Sequence, residues 1–120
     1  MTKEPAVRDL MEEIKAFNRE RDWEQYHSPK NLSMALSVEV AELLEVFQWL
    51  TEDQSRRLPD AKKQAVEEEI GDVTILLLAL AQELGIDILA AARKKLERNR
   101  AKYPVEKSRG RAEKYNELDP

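Results

Sequence analysis

The chain has no cysteine. Disulfides, thiolate zinc sites and cysteine nucleophiles are excluded together. It has one histidine, His27, so a single chain cannot build a multi-histidine metal site. Long apolar runs are missing too. The longest, Val73 to Ala81, has nine residues counting Thr74, against the roughly 20 that a membrane-spanning helix needs. The opening residues, Met1-Thr2-Lys3-Glu4-Pro5, show no apolar stretch of the kind a signal peptide carries. No basic surplus exists: 20 Lys and Arg face 24 Asp and Glu, for a net charge of −4, so a nucleic-acid footprint is absent. These absences lead us to expect a cytoplasmic protein with neither nucleic acid nor membrane as a partner. What remains is 42% apolar and 37% charged, too apolar for a disordered chain. Carboxylates are its main chemical resource.

Glycine is scarce as well, with only Gly71, Gly85 and Gly110. No long stretch alternates apolar with polar residues, and the dominant period is 3.6. The pattern predicts an all-α fold, a four-helix bundle. Helix one is expected over about 5–21, with Val7, Leu10, Met11, Ile14 and Phe17 on one stripe. Ser28-Pro29 is a cap and first-turn pair opening helix two, about 29–51. Residues 54–60 read as a loop. Helix three is expected over 61–84, closed by Gly85 as the residue after its C-cap. Asp87 then caps helix four, 88–102. The expected division is a helical domain over 1–104 and a polar tail or arm over 105–120.

Helix three is apolar on more than one side. Val66, Ile70, Val73, Leu77, Leu80 and Leu84 form one stripe, while Ile75 and Leu78 point elsewhere. A helix apolar around most of its circumference needs burial, which a chain of 120 residues supplies poorly. A homo-oligomer, two dimers forming a tetramer, is therefore expected, packed through the central helices.

Carboxylates interrupt the apolar stripes. On helix two the stripe is Leu32, Leu36, Val40, Leu43, Val46, Phe47 and Leu50. Glu39 falls within it, Glu42 at its edge, and Glu45 further round. On helix three Glu69 falls among Val66, Val73, Leu76 and Leu80, with Asp72 at the edge. Each helix thus presents two carboxylates three residues apart, on one face. Burying them unpaired is unfavourable by several kcal/mol even after relaxation, and clustering raises their proton affinity. A hard divalent cation resolves both difficulties. Mg²⁺ prefers oxygen ligands, keeps some water and accepts phosphate as a further ligand. Periodicity leaves a second reading open, solvated surface carboxylates on helices of slightly different phase. Gly71, in mid-helix between two of them, suggests close helix packing at that point.

Two segments, Glu39-Val-Ala-Glu42 and Glu69-Ile-Gly-Asp72, resemble the ExxE…ExxD signature of the MazG-like all-α nucleotide pyrophosphohydrolases. Further segments are similar to the dCTP pyrophosphatase branch of that family: Arg21 to Leu32, Phe47-Gln-Trp49, Asn99 to Pro104, and Ser108-Arg-Gly. The resemblance spans about residues 7 to 118. It implies a Mg²⁺-dependent enzyme that cuts a nucleoside triphosphate, dCTP or a modified dCTP, between its α and β phosphates. It implies Glu39, Glu42, Glu69 and Asp72 as metal ligands and catalytic residues. It places Trp23, His27, Asn31 and Trp49 at the substrate, and Asn99 and Lys102 at its phosphate or sugar. Trp49 is expected on the flank of helix two, on the side of Glu42. The sequence departs from the animal members of the branch at Leu76, where they carry tyrosine. Two other functions compete: a non-catalytic helical assembly module, and a related hydrolase of a dUTP-like or phosphoribosyl-ATP substrate.

Overall fold

Helix starts are fixed by local chemistry, and the computed structural model, described over residues 2–118, shows how. Pro5 sits in the first turn of α1 (Pro5–Glu20). The chain then reverses through Asp22, the described non-glycine residue with positive φ, at +54°. A single 3₁₀ turn, Glu24–Tyr26, leads to α2 (Pro29–Phe47). The Ser28 hydroxyl accepts the Asn31 amide at 3.2 Å, capping α2 as expected.

The next segment corrects the sequence reading. α2 stops at Phe47 rather than near 51, and part of the expected loop is a short helix, α3 (Glu52–Arg56). A reciprocal pair of hydrogen bonds nucleates it. The Gln54 amide donates to the Thr51 hydroxyl at 3.2 Å, and the Thr51 amide donates to the Gln54 side chain at 2.9 Å. Pro59 then precedes α4 (Asp60–Glu83), the longest helix.

α4 ends in a Schellman motif. Gly85, at φ +66°, donates to the Gln82 carbonyl at 3.1 Å, and Ile86 donates to the Ala81 carbonyl at 2.8 Å. Asp87 caps α5 (Ile88–Lys102) through the Ala90 amide at 3.0 Å. The axis turns by 97° between α4 and α5. A one-turn helix, α6 (Val105–Ser108), and a 3₁₀ turn, Tyr115–Glu117, follow. The expected tail is therefore partly ordered. The Tyr103 and Tyr115 rings meet edge-on at 6.2 Å, and the Lys102 ammonium sits 4.8 Å from the Tyr115 ring centre. Met1 and residues 119–120, the outer ends of the expected domain and tail, lie outside the described residues. The described chain is all-α, with no strand and no single helix long and apolar enough to cross a membrane.

α2 and α4 form the main seam, with α1 laid across α4. Leu32 shares a cavity wall with Ala79, Glu39 meets Glu69, and Leu50 shares a wall with Lys62. Rising numbers on α2 pair with falling numbers on α4, so the two run antiparallel. Inside, Met11, Ile14 and Leu78 pack together, with Val7 and Ile88 against them. Leu78, expected to point away from the main stripe, is thus a centre of the core. Gly71 has open space within 4 Å of where a Cβ would stand, so close packing within the chain does not explain it.

This core is thin. Ile70 and Leu77 on α4 and Leu84 at its C-cap, seven residues apart, are exposed, as are Met34, Val38, Val40 and Leu44 on α2. The accessible surface is 9435 Å² for 13.9 kDa, whereas a compact monomer of that mass presents about 6,700 Å². The radius of gyration is 17.9 Å, against about 13.6 Å for a compact domain of this length.

Candidate metal centre and adjoining cavity

Halfway along the α2–α4 seam, carboxylates replace the apolar contacts. Glu39, Glu69 and Asp72 bring one oxygen each to within 4.8 Å of one another. Glu39 comes from α2, the other two from α4, and the i, i+3 spacing of Glu69 and Asp72 puts both on one face. Glu42, one turn along α2 from Glu39, lies close enough for the Glu39 carboxyl to raise its proton affinity, although it stands outside that three-oxygen group. No Lys or Arg ion pair reaches any of the four among the described residues.

The electrostatics follow from that crowding. Desolvation is the main reason Glu39 holds its proton above the usual carboxylate range, followed by its hydrogen bond with Glu69 and the nearby Asp72 charge. Desolvation also lifts Glu69 most, with the charges of Glu42 and Asp72 adding to it. Glu42 is raised first by its hydrogen bond with Glu39, then by the Glu39 charge. Glu39 Oε2 and Glu69 Oε2 are buried with no hydrogen-bond partner. Two orphaned oxygens of one sign, aimed into one cluster, are the donor set a hard divalent cation takes. The residues present therefore fit a metal ion.

Asp72 also opens onto a cavity of about 440 Å³. Its walls are mainly apolar: Ile14 and Phe17 from α1, Trp23 from the turn, Leu32 from α2, and Ile75, Leu76 and Ala79 from α4. Glu13, Asn18 and His27 supply its remaining polar atoms. Trp23 is held edge-on to Phe17, with ring centres 5.7 Å apart. A second, more polar hollow of about 270 Å³ continues past His27, Asn18 and Leu32 to Lys15, Glu24, Gln82 and Glu83.

The sequence-predicted residues divide accordingly. Glu39, Glu42, Glu69 and Asp72 come together, and Trp23 and His27 line the cavity next to them. Asn31 is turned to another task. Its side-chain amide donates to the Tyr26 carbonyl at 3.0 Å, tying α2 to the preceding turn. Trp49 does not lie on a helix flank. It sits in the turn after α2, 87% exposed, outside the described cavities. Leu32 and Phe47 are about 22 Å apart along α2, so Trp49 of the same chain cannot touch what Trp23 touches. Asn99 and Lys102 stand near the far end of α5. With the 97° bend, Lys102 lies roughly 25 Å from Asp72. Phe17, Asn18, Ile75 and Leu76 are cavity residues that periodicity alone did not single out, because an apolar position facing a cavity looks like one facing a core.

The sequence profile of the MazG-like family matches residues 34–118. The chain is 44% identical over 117 residues to dCTP pyrophosphatase 1 of Mus musculus, covering 96% of this chain and 69% of that protein. It is 40% identical over the same length and shares to dCTP pyrophosphatase 1 of Homo sapiens. The crystal structure of a pyrophosphatase from Archaeoglobus fulgidus is similar with a TM-score of 0.79 and 40% identity, covering 87% of this chain and 97% of that one.

Proposed function

The chain belongs to the MazG-like family, and from that premise we propose that it hydrolyses a deoxynucleoside triphosphate, dCTP or a modified dCTP, to the monophosphate and pyrophosphate. One observation carries this reading. A carboxylate cluster with orphaned buried oxygens opens through Asp72 onto an apolar cavity holding Trp23 and His27. Such a pair of sites suits a ligand that is anionic at one end and a flat ring at the other.

Glu39, Glu42, Glu69 and Asp72 would hold Mg²⁺. When bound, the ion supplies Lewis-acid stabilisation of the phosphates and of the attacking water. The chain's own residues do the rest. Glu39 and Asp72, on facing helices, fix where the triphosphate can sit relative to the cavity. Trp23, braced by Phe17, offers a face to the base, and His27 closes the wall beside it. With the base in the cavity, the phosphorus nearest the nucleoside lies nearest the carboxylates. Water adds there, its oxygen bonding to the α phosphorus and a proton passing from it to a carboxylate of the cluster, while the bond from that phosphorus to the bridging oxygen breaks, and pyrophosphate leaves.

We read the active particle as a homo-oligomer, a dimer of dimers. The surface excess over a compact monomer is several times the roughly 800 Å² that one partner contributes to a standard interface. The heptad-spaced Ile70, Leu77 and Leu84 supply an apolar seam for it. In such an assembly Trp49, Asn99 and Lys102 reach substrate only in a neighbouring copy's site. We assign residues 1–104 to the catalytic domain and 105–120 to a polar C-terminal arm, and place the chain in the cytoplasm. A panel of nucleoside triphosphates incubated with Mg²⁺ and scored for pyrophosphate tests this reading. dCTP is expected to lead the panel. No turnover of any triphosphate by the metal-loaded oligomer would leave the assembly-module function instead.

A further inference from the structure

Three pairs of positions order the α2–α4 seam. Leu32 and Ala79 border the apolar cavity, Glu39 and Glu69 meet in the carboxylate cluster, and Leu50 and Lys62 border a separate hollow of about 250 Å³. The carboxylates therefore stand between the cavity and this hollow. Lys62 precedes Glu69 by seven residues, on the same stripe of α4 and about 10.5 Å away along the axis. Gln54 and Arg57, in α3 and at its C-cap, complete the polar wall of the hollow, and no carboxylate lines it. Neither Arg57 nor Lys62 makes an ion pair among the described residues, whereas the neighbouring Arg56 is engaged with Asp53 at 3.8 Å. The capping bond from the Thr51 amide uses Gln54 Oε1, which leaves the side-chain nitrogen of Gln54 to donate. A chain of net charge −4 thus keeps two cations and an amide donor around one hollow, one heptad from its carboxylates.

A nucleoside triphosphate carries its groups in the same order: ring, α-phosphate, then the outer phosphates. We propose that Arg57 and Lys62 bind the terminal phosphate of the substrate and so set the polyphosphate length that the site prefers. Two outer phosphate groups from one end and the flexible lysine stem from the other span the gap between Glu69 and Lys62. Arg57 presents a planar fork of N–H donors that meets phosphate oxygens two at a time, and Lys62 adds a compact charge. Both residues are exposed, so the phosphate is held at the surface and pyrophosphate can leave without the fold opening. The inference rests on the nucleotide reading above and assigns the end of the nucleotide that neither the cavity nor the carboxylates reach.

The test is equilibrium binding of the non-hydrolysable α,β-imido analogues of dCTP and dCDP to the Mg²⁺-loaded protein at low ionic strength, by calorimetry. The two probes differ only in the terminal phosphate. The wild type should bind the triphosphate on the order of ten-fold more tightly, the scale of a hydrogen bond to a charged group. In a variant carrying Arg57→Gln and Lys62→Gln together, the ratio should fall toward one while the affinity for the diphosphate stays as it was. Arg57→Gln alone should lower the ratio part of the way. Arg56→Gln, which removes the same charge one residue earlier, should keep the wild-type ratio and so separates a held phosphate from the general field of the chain. Three results overturn the inference and leave the nucleotide reading standing: equal binding of both probes by the wild type, an unchanged ratio in the folded double variant, or the same loss in Arg56→Gln as in Arg57→Gln. Failure of both probes to bind the wild type overturns the nucleotide reading itself, and the inference with it.

Discussion

The carboxyls of Glu39 and Glu69 meet across the α2–α4 seam, and each keeps its Oε2 buried without a hydrogen-bond partner. Such a pair opposes folding unless something positive or a shared proton lies between them. The seam therefore gives up stability at this point to keep two oxygens available. Glu69→Gln removes one charge and keeps the shape. We expect pyrophosphate release to fall on the order of 100-fold or more, as loss of a metal ligand exceeds the losses seen on disturbing outer-sphere partners. Without divalent metal the variant's melting temperature should equal or exceed that of the wild type. Near wild-type turnover with Mg²⁺ would remove Glu69 from the site.

The same pair gives stability a definite pH dependence. Glu39, Glu42 and Glu69 all titrate above the ordinary value of 4.5 in the folded chain. In the window above 4.5 the native state then binds more protons than the unfolded state. Stability contributed by these groups must fall as pH rises through that window. In EDTA, the melting temperature of the wild type relative to Glu69→Gln should drop between pH 5 and pH 8. With Mg²⁺ the drop should vanish or reverse, because the ion binds the deprotonated carboxylates. A wild-type-minus-variant difference independent of pH in EDTA would contradict the coupling.

Much of this was legible from the residues. Ser28, Asp87 and Gly85 mark helix ends through local hydrogen bonds, and local chemistry is what a sequence displays best. The Thr51-x-x-Gln54 box is equally local, and it marks a new helix start at the edge of the expected loop. The apolar Leu50 carried the periodic pattern past Phe47. Glu39 and Glu69 were legible because a charge within an apolar stripe contradicts its surroundings. Leu76 was marked only by resemblance, since wall and core look alike in one dimension. The placement of Asn99 and Lys102 was not legible at all. It depends on the 97° turn after α4, which the Gly85 cap permits without fixing its angle.

Trp49 separates the chain from its assembly. Being 87% exposed, it contributes little to the stability of one chain, so Trp49→Ala should leave the far-ultraviolet spectrum unchanged. If it stacks on the base from a neighbouring copy, KM should rise by roughly ten-fold, using the magnitude of base–aromatic stacking, with kcat little altered. An unchanged KM in an intact oligomer would take Trp49 out of the site. Trp23→Ala should raise KM as well, and it also removes the edge-on contact with Phe17.

The oligomer prediction turns on the α4 face. Light scattering at micromolar concentration should give a multiple of 13.9 kDa, with four copies expected. Leu77→Glu places a charge in the middle of the Ile70, Leu77 and Leu84 seam and should shift the particle toward smaller, less stable species. A wild-type particle at the mass of a single chain would refute this reading, and a fully assembled Leu77→Glu variant would move the interface elsewhere.

The position of attack follows from the order of groups along the site. The cavity with Trp23 lies on one side of Asp72, and the other carboxylates lie beyond it along the seam. A nucleotide bound with its base in the cavity presents the α phosphorus first to the carboxylates, and the β and γ phosphates further out. No P-loop GxxxxGK[ST] is present to cradle those outer phosphates for terminal transfer. Hydrolysis of dCTP in ¹⁸O-labelled water, with mass spectrometry of both products, should place one labelled oxygen in dCMP and none in pyrophosphate. Label in pyrophosphate would mean attack at the β phosphorus and a nucleotide seated one phosphate deeper toward the cavity. Release of dCDP and orthophosphate would mean that the outer phosphates, not the nucleoside end, are held at the carboxylates, and the cavity would lose its role as the base site.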